Sequence, residues 1–297
     1  MSKRSHNSRA VVTGAGSGIG QAFAVELARR GGSVVVSDVD MVGAKRTVDA
    51  ITDQGGKAVA LRCDVAVLEE VRQLADDAQD FFGAEPTLVV NNAGVGAGGQ
   101  LIGDVPIDDW RWTLGINLWG PIHGCHVFAP ILREHGYGGI INVASAASFG
   151  AAPRIAAYNV SKAGVLSLSE TLAAELAGTG VNVSVLCPTF VKTNIVSNGR
   201  INQSSTDAAN RLMRLTGMSP AKVAGVCLDA NDRGTLHVLP QIDAKVGWQI
   251  KRAAPGLYTR AVGLLERFGP LRDEDVDNPD LIDLDLTRPE IKHREGR

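Results

Sequence analysis

Residues 9 to 40 read RAVVTGAGSGIGQAFAVELARRGGSVVVSDVD, and this stretch decides the fold. Ala10 to Thr13 is a short apolar run of strand type, followed at once by glycines at 14, 16, 18 and 20. From Ile19 to Arg29 the apolar residues Ile19, Phe23 and Leu27 recur at helical spacing, so a helix begins inside the glycine loop. Ser33 to Ser37 reads as a second strand. The whole is one βαβ unit, and its right-handed crossover places both strands in a parallel sheet. The helix start presents free backbone N–H groups and a positive dipole end, which suit a phosphate.

The strict G-x-G-x-x-G spacing fails here, because reading from Gly14 and Gly16 the last position is Ile19. The spacing is instead T-G-x-x-x-G-x-G through Gly14, Gly18 and Gly20. Glycine loops also occur as plain turns, and Asp38 favours a dinucleotide over that reading. At the end of the second strand a carboxylate accepts hydrogen bonds from the adenosine ribose hydroxyls. The same charge repels a 2′-phosphate, and the glycine loop holds no basic residue to offset it, so NAD is preferred over NADP. The competing role for Asp38 is N-cap of the next helix, which Asp40 can fill equally well.

Further along, Tyr158 and Lys162 stand four apart in AAYNVSKAG. On a helix they share a face, and a cation near a phenol favours the phenolate. Other polar residues fall at the carboxyl ends of strands or on the helices behind them. Cys63-Asp64-Val65 follows a third strand, and Asn91-Asn92-Ala93-Gly94 follows a fourth (Thr87 to Val90). Asn117 sits in a helix, and Ser145 follows a fifth strand (Ile140 to Ala144). Pro188 and Thr193 follow a sixth (Asn182 to Leu186). Open α/β sheets bind ligands at that edge.

In these motifs the chain resembles the short-chain dehydrogenase/reductase family, from about residue 10 to 195. The resemblance implies an α/β fold of Rossmann type: a doubly wound, seven-stranded parallel sheet with helices on both faces, to which the residue pattern adds extra C-terminal helices. It implies a cofactor site drawn from Gly14, Ser17, Gly18, Ile19, Gly20, Asp38, Asp64, Val65, Asn91, Ala93, Gly94, Tyr158, Lys162, Pro188, Val191 and Thr193. Asn117, Ser145, Tyr158 and Lys162 match the family's catalytic tetrad. There Tyr158 exchanges a proton with the alcohol and Ser145 donates to the substrate oxygen. Lys162 lowers the tyrosine pKa and binds ribose, and Asn117 holds a water. Two departures stand out: Pro188-Thr189 replaces the usual Pro-Gly, and no glycine-rich segment follows the seventh strand. The second leaves the family's common tetramer interface open.

The chain has 297 residues, 44% hydrophobic content and a net charge of −2, which fit a globular protein with a sizeable core and argue against nucleic-acid binding. Cysteines 63, 125, 187 and 227 show neither metal nor disulfide spacing, in keeping with a reducing, cytoplasmic setting. Met1 to Arg9 has no apolar run behind it, so no secretory signal is expected, and no apolar stretch approaches membrane-spanning length. His123 and His126 lack a third metal ligand. No G-x-S-x-G elbow supports a hydrolase.

The expected division is a catalytic domain over 1–243 with a substrate lid at about 189–219, a helical extension over 244–270 and an acidic tail over 271–297. The lid carries Phe190, Ile195, Val196, Ile201, Leu212, Met213, Leu215 and Met218, which suggest an apolar substrate; Phe149 and Phe190 join Ser145 and Tyr158 as substrate residues. Thr235 to Leu239 reads as the seventh strand. Two basic amphipathic helices follow, Ala244 to Arg252 and Gly256 to Phe268, suited to covering their own domain, a partner subunit or, least of all, a membrane surface. The function expected is NAD-dependent interconversion of a secondary alcohol and a ketone, by a homodimer or homotetramer. The alternatives are an NADPH-dependent carbonyl or 3-oxoacyl reductase and a catalytically silent NAD-binding sensor.

Overall fold

The computed structural model describes residues 3–193, 195 and 199–268. The first half of the chain runs β1 (Arg9–Thr13), α1 (Gly18–Arg29), β2 (Ser33–Asp38), α2 (Met41–Thr52), β3 (Lys57–Arg62), α3 (Leu68–Phe82) and β4 (Leu88–Asn91). Then come β5 (Ala97–Gly98), α4 (Ile107–Leu114), a π-helical turn (Gly115–Trp119), α5 (Gly120–His135), β6 (Gly138–Val143), α6 (Ala147–Gly150) and α7 (Ala156–Glu175). The remainder is β7 (Val181–Leu186), β8 (Arg200–Ile201), α8 (Gln203–Thr216), α9 (Pro220–Asp232), β9 (His237–Val238), α10 (Ile242–Ala253) and α11 (Pro255–Phe268).

Seven strands form one parallel sheet in the order β3-β2-β1-β4-β6-β7-β9. The chain works outward from β1 to β3, returns to β4 and works outward the other way. The order therefore reverses between β1 and β4, the position where doubly wound sheets bind ligands. Alternate residues of each strand feed opposite faces. Ala10 and Val12 join Val34, Val36, Leu88 and Val90 under α1, α2 and α9. Val11 joins Val35, Val89 and Ile140 under α3, α5 and α7. Burial on both faces explains why these strands are continuous apolar runs without polar alternation.

Three expectations change in detail. The seventh strand shrinks to His237–Val238, bracketed by Gly234 at φ +72° and by Pro240. As the edge strand it gains ladder bonds from β7 alone. Asn117 lies in the π-helical turn, a wider coil between α4 and α5. The lid is built from β8, which pairs with β5, and from α8, where Met213 is buried but Leu215 is 75% exposed. Its surface is therefore only partly the apolar cover expected. Val196 and the acidic stretch 271–297 lie outside the described residues.

Pro255 ends one C-terminal helix and opens the next, where its missing N–H costs nothing. α10 packs on α6 and buries Ala244, whereas Leu257, Leu264, Leu265 and Phe268 of α11 stay exposed. Among the described residues no helix is long and apolar enough to cross a membrane.

Candidate active site

The glycine loop closes the end of β1. Gly14 and Gly18 adopt left-handed backbone, at φ +62° and +58°. A side chain at Gly20 would place its Cβ 2.1 Å from the Gly14 carbonyl oxygen, so α1 can start this close to the strand only through glycine. Ser17 stands at the N-cap of α1 with its hydroxyl exposed and making no capping bond. Ile19 packs onto the core beneath. The result is a cradle lined by main chain at a helix N-terminus, which fits a pyrophosphate.

Asp38 reaches this loop from the end of β2. Its Oδ2 accepts from the Gly16 N–H at 2.8 Å, and its Oδ1 accepts from the Asp40 N–H at 2.9 Å. The helix cap falls to Asp40, whose Oδ1 accepts from Val42 N–H at 3.0 Å. Asp38 is thus left at the sheet edge, beside the cradle. On the neighbouring strand Arg62 is held by Glu70 at 2.8 Å, and the same carboxylate oxygen accepts from the Asp64 N–H at 2.7 Å. Asp64 accepts from the Ala66 N–H at 3.0 Å, and buried Val65 offers its carbonyl to His123 at 2.9 Å.

The turn after β4 divides its two asparagines. The Asn91 side chain enters the core, where it donates to Asn142 Oδ1 at 2.8 Å, and Asn142 in turn donates to Ser169 at 3.0 Å. That amide is committed to the interior, so Asn91 faces a cofactor only with its main chain. Asn92 turns the other way and donates to Thr13 O at 2.8 Å and Gly14 O at 3.0 Å. The Thr13 hydroxyl accepts from the N–H groups of Asn92 and Ala93, at 3.1 and 3.2 Å. Glu70, and the ties that Asn92 makes to the loop carbonyls and that the Thr13 hydroxyl makes to the turn, are the parts of the cradle that the sequence motifs did not announce. The period-2 alternation of a strand was the available signal, since it sends two adjacent asparagines to opposite faces.

On the far side of the switch point the four tetrad residues converge. Asn117, fully buried, accepts from Val95 N–H at 2.8 Å and donates to Val95 O at 2.9 Å. Its side chain therefore pins the turn that contains Gly94. A Cβ at Gly94 would lie 3.2 Å from Asn117 Oδ1 and 3.4 Å from Lys162 Nζ, so the three meet at one point. Lys162 is 2% exposed and donates to Val143 O at 3.0 Å. Its Nζ stands 5.7 Å from the centroid of the Tyr158 ring. Burial holds the ammonium down to about 8. The Tyr158 phenol hydrogen-bonds Ser145, yet burial outweighs that bond and pushes its pKa above the ordinary value. The phenolate-favouring influence expected of Lys162 is not what dominates here.

The walls are set by two loops. The Pro188 carbonyl accepts from Ala146 N–H at 2.8 Å, and Val191 bridges to Met218. Thr193 lies over the glycine loop, with its Cγ2 3.2 Å from where a Gly18 Cβ would be. The Phe190 carbonyl accepts from Gln241 at 3.1 Å. The ring of Phe149, expected to face substrate, packs edge-on to Trp248 at 5.0 Å between centroids.

A glycine cradle, an acid at the end of the second strand and a Ser-Tyr-Lys cluster, all at the switch point of a parallel sheet, define a Rossmann-type α/β protein. The chain belongs to the short-chain dehydrogenase family, whose model matches residues 8–204. It is 36% identical over 229 residues to the probable oxidoreductase EphD of Mycobacterium tuberculosis, which covers 74% of this chain but only 38% of that protein. It is 35% identical to the cyclohexanol dehydrogenase of an Acinetobacter species, over 66% of this chain and 78% of the relative. A short-chain dehydrogenase/reductase from Burkholderia phymatum, solved in complex with NAD, superposes with a TM-score of 0.81 at 34% identity, covering 86% of this chain and 96% of the other.

Proposed function

We propose that the protein is a NAD-dependent oxidoreductase that interconverts a secondary alcohol and a ketone on a moderately apolar small molecule. The observation that carries this reading is a run of neighbours: Asn117 and Lys162 meet beside Gly94, the Lys162 ammonium stands 5.7 Å from the centre of the Tyr158 ring, and the Tyr158 phenol is partnered by Ser145. The glycine cradle fits a dinucleotide pyrophosphate, and Asp38, whose ladder neighbour Arg62 is paired with Glu70, favours ribose hydroxyls over a 2′-phosphate. The family membership and the names of the relatives, one acting on cyclohexanol, point the same way.

When bound, the nicotinamide ring supplies the hydride acceptor or donor. The chain does the rest. Ser145 donates a hydrogen bond to the substrate oxygen and stabilises charge there. Tyr158 takes the hydroxyl proton in oxidation and returns it in reduction. Lys162, with its Nζ 5.7 Å from the centre of the Tyr158 ring, is the cation assigned to the phenol and to a ribose, and Asn117 fixes the turn beside it. A raised Tyr158 pKa keeps the phenol protonated at neutral pH. Alcohol oxidation, which needs the basic form, is therefore expected to accelerate as pH rises, and ketone reduction to slow.

The test is reduction of NAD by a panel of cyclic and acyclic secondary alcohols, repeated with Tyr158→Phe. Turnover should fall by about 10²- to 10⁴-fold with NAD affinity retained. A variant that keeps full turnover removes Tyr158 from the chemistry. NAD binding without turnover of any alcohol would favour a silent nucleotide sensor, and preferential use of NADP would overturn the role given to Asp38.

A further inference from the structure

The family match ends at residue 204, yet the chain beyond it reaches back to both loops that flank Tyr158. On one side Gln241, buried at the start of α10, donates to the Phe190 carbonyl at 3.1 Å and accepts from the Thr189 N–H at 3.3 Å. Both ends of its amide are thus spent on main chain. The Thr189 hydroxyl, present because this chain has Pro-Thr after β7, donates to Asp243 at 3.3 Å.

On the other side three residues of the helix pair hold the segment between Ser145 and Tyr158. Trp248 sits between Phe149, at 5.0 Å and 77°, and His237, at 5.3 Å. His237 is itself paired with Glu170 of α7 at 2.7 Å. The Tyr258 hydroxyl stands 3.6 Å from where a Gly150 Cβ would be. Glu266 of α11 pairs with Arg154. Within the segment so held, Ala151 and Arg154 adopt left-handed backbone at φ +48° and +62°. Non-glycine residues persist in that region only where their surroundings over-determine it.

We propose that the C-terminal helix pair is a clamp that fixes the gap between the Ser145–Arg154 segment and the Pro188–Val191 loop, with Gln241 and Trp248 as positioning residues. It acts through Phe149 on the turn that presents the Ser145 hydroxyl, and through Thr189 and Phe190 on the opposite wall. The catalytic consequence rests on the proposed function, in which Ser145 donates to the substrate oxygen; the mechanical part does not.

The test uses the full chain carrying Trp248→Ala, Trp248→Phe or Glu266→Gln. Hydrogen exchange at the amides of Ser148 to Ala151 reads the clamp with no substrate present. Exchange there should quicken about tenfold or more in Trp248→Ala, return towards wild type in Trp248→Phe, and leave the Gly14–Gly20 amides unmoved. Turnover should fall by about tenfold in kcat with the KM for NAD unchanged, as expected when a donor is misplaced by a fraction of an ångström. Glu266→Gln, at the protein rim, should move both readouts in the same direction by less, without threatening the core. Unmoved exchange, or exchange raised equally across the whole chain, overturns the clamp. A wild-type chain that turns over none of the alcohols overturns the proposed function instead, while the exchange data still decide the clamp.

Discussion

The glycine loop between β1 and α1 is filled to contact by its own neighbours, whereas among the described residues between Thr189 and Met218 much of the surface of α8, Leu215 included, faces solvent. Added Cβ atoms at Gly14, Gly16 and Gly20 would all fall within 3.0 Å of other atoms. Across the cleft, the lid is held by the β5–β8 pairing, by the Arg200–Asp109 ion pair at 2.6 Å and by Asn202 on the Gly99 carbonyl at 2.9 Å. The two regions suit different tasks. A dinucleotide is the same molecule in every turnover, and a rigid cradle binds it with little ordering cost. An outer segment with exposed positions such as Leu215 can change its surface without disturbing that cradle.

The comparison predicts that equally small changes cost very different amounts on the two sides. Gly20→Ala should be the most damaging, since the added methyl meets the Gly14 carbonyl oxygen at 2.1 Å and Asn92 Nδ2 at 2.4 Å. A loss of about 3 kcal/mol in urea unfolding and at least about tenfold in NAD affinity is expected. A variant with wild-type affinity would show that the loop relaxes freely and that the contrast fails.

Next in size is Lys162→Met. The buried ammonium titrates at about 8 against an ordinary 10.5. Below pH 8 both folded and unfolded chains carry the charge, so the cost of burying it is present in full. Between about 8 and 10.5 only the unfolded chain keeps the proton, and the wild type gains stability relative to the variant, by up to about 1.4 kcal/mol per pH unit. Urea unfolding of both proteins between pH 7 and about 9 measures this. A pH-independent difference would mean that Lys162 is better solvated than its 2% exposure implies.

Asp38 and Asp40 sharpen the contrast at finer scale. Asp40→Ala removes the α2 cap and should cost about 1 kcal/mol of stability with NAD affinity unchanged. Asp38→Ala should weaken NAD by about tenfold, because it loses both the Gly16 contact and the ribose acceptor. Calorimetric titration of the two variants separates them, and equal losses of affinity would merge the roles. The smallest effect belongs to the lid: Leu215→Ser, at an exposed position, should shift stability by less than about 0.5 kcal/mol. A larger loss would show that this face is covered in solution.

The glycine loop and the parallel βαβ unit it belongs to were legible in the sequence because they depend on local rules. Strand, glycine turn and helix follow each other within residues 9 to 40, and only glycine permits the turn. The Tyr158–Lys162 pair was legible for the same reason, since four residues along a helix place two side chains together. Only the tertiary structure decided matters that rest on long-range packing. It sent Asn91 into the core and left Asn92 to tie the loop, gave the helix cap to Asp40, and packed Phe149 against Trp248. It brought Gln241 to Thr189, 52 residues earlier in the chain, with no local signal to announce it. It also set the balance of charge around Tyr158. Spacing tells which groups are neighbours, but burial decides which protonation state they hold, and burial is a property of the whole fold.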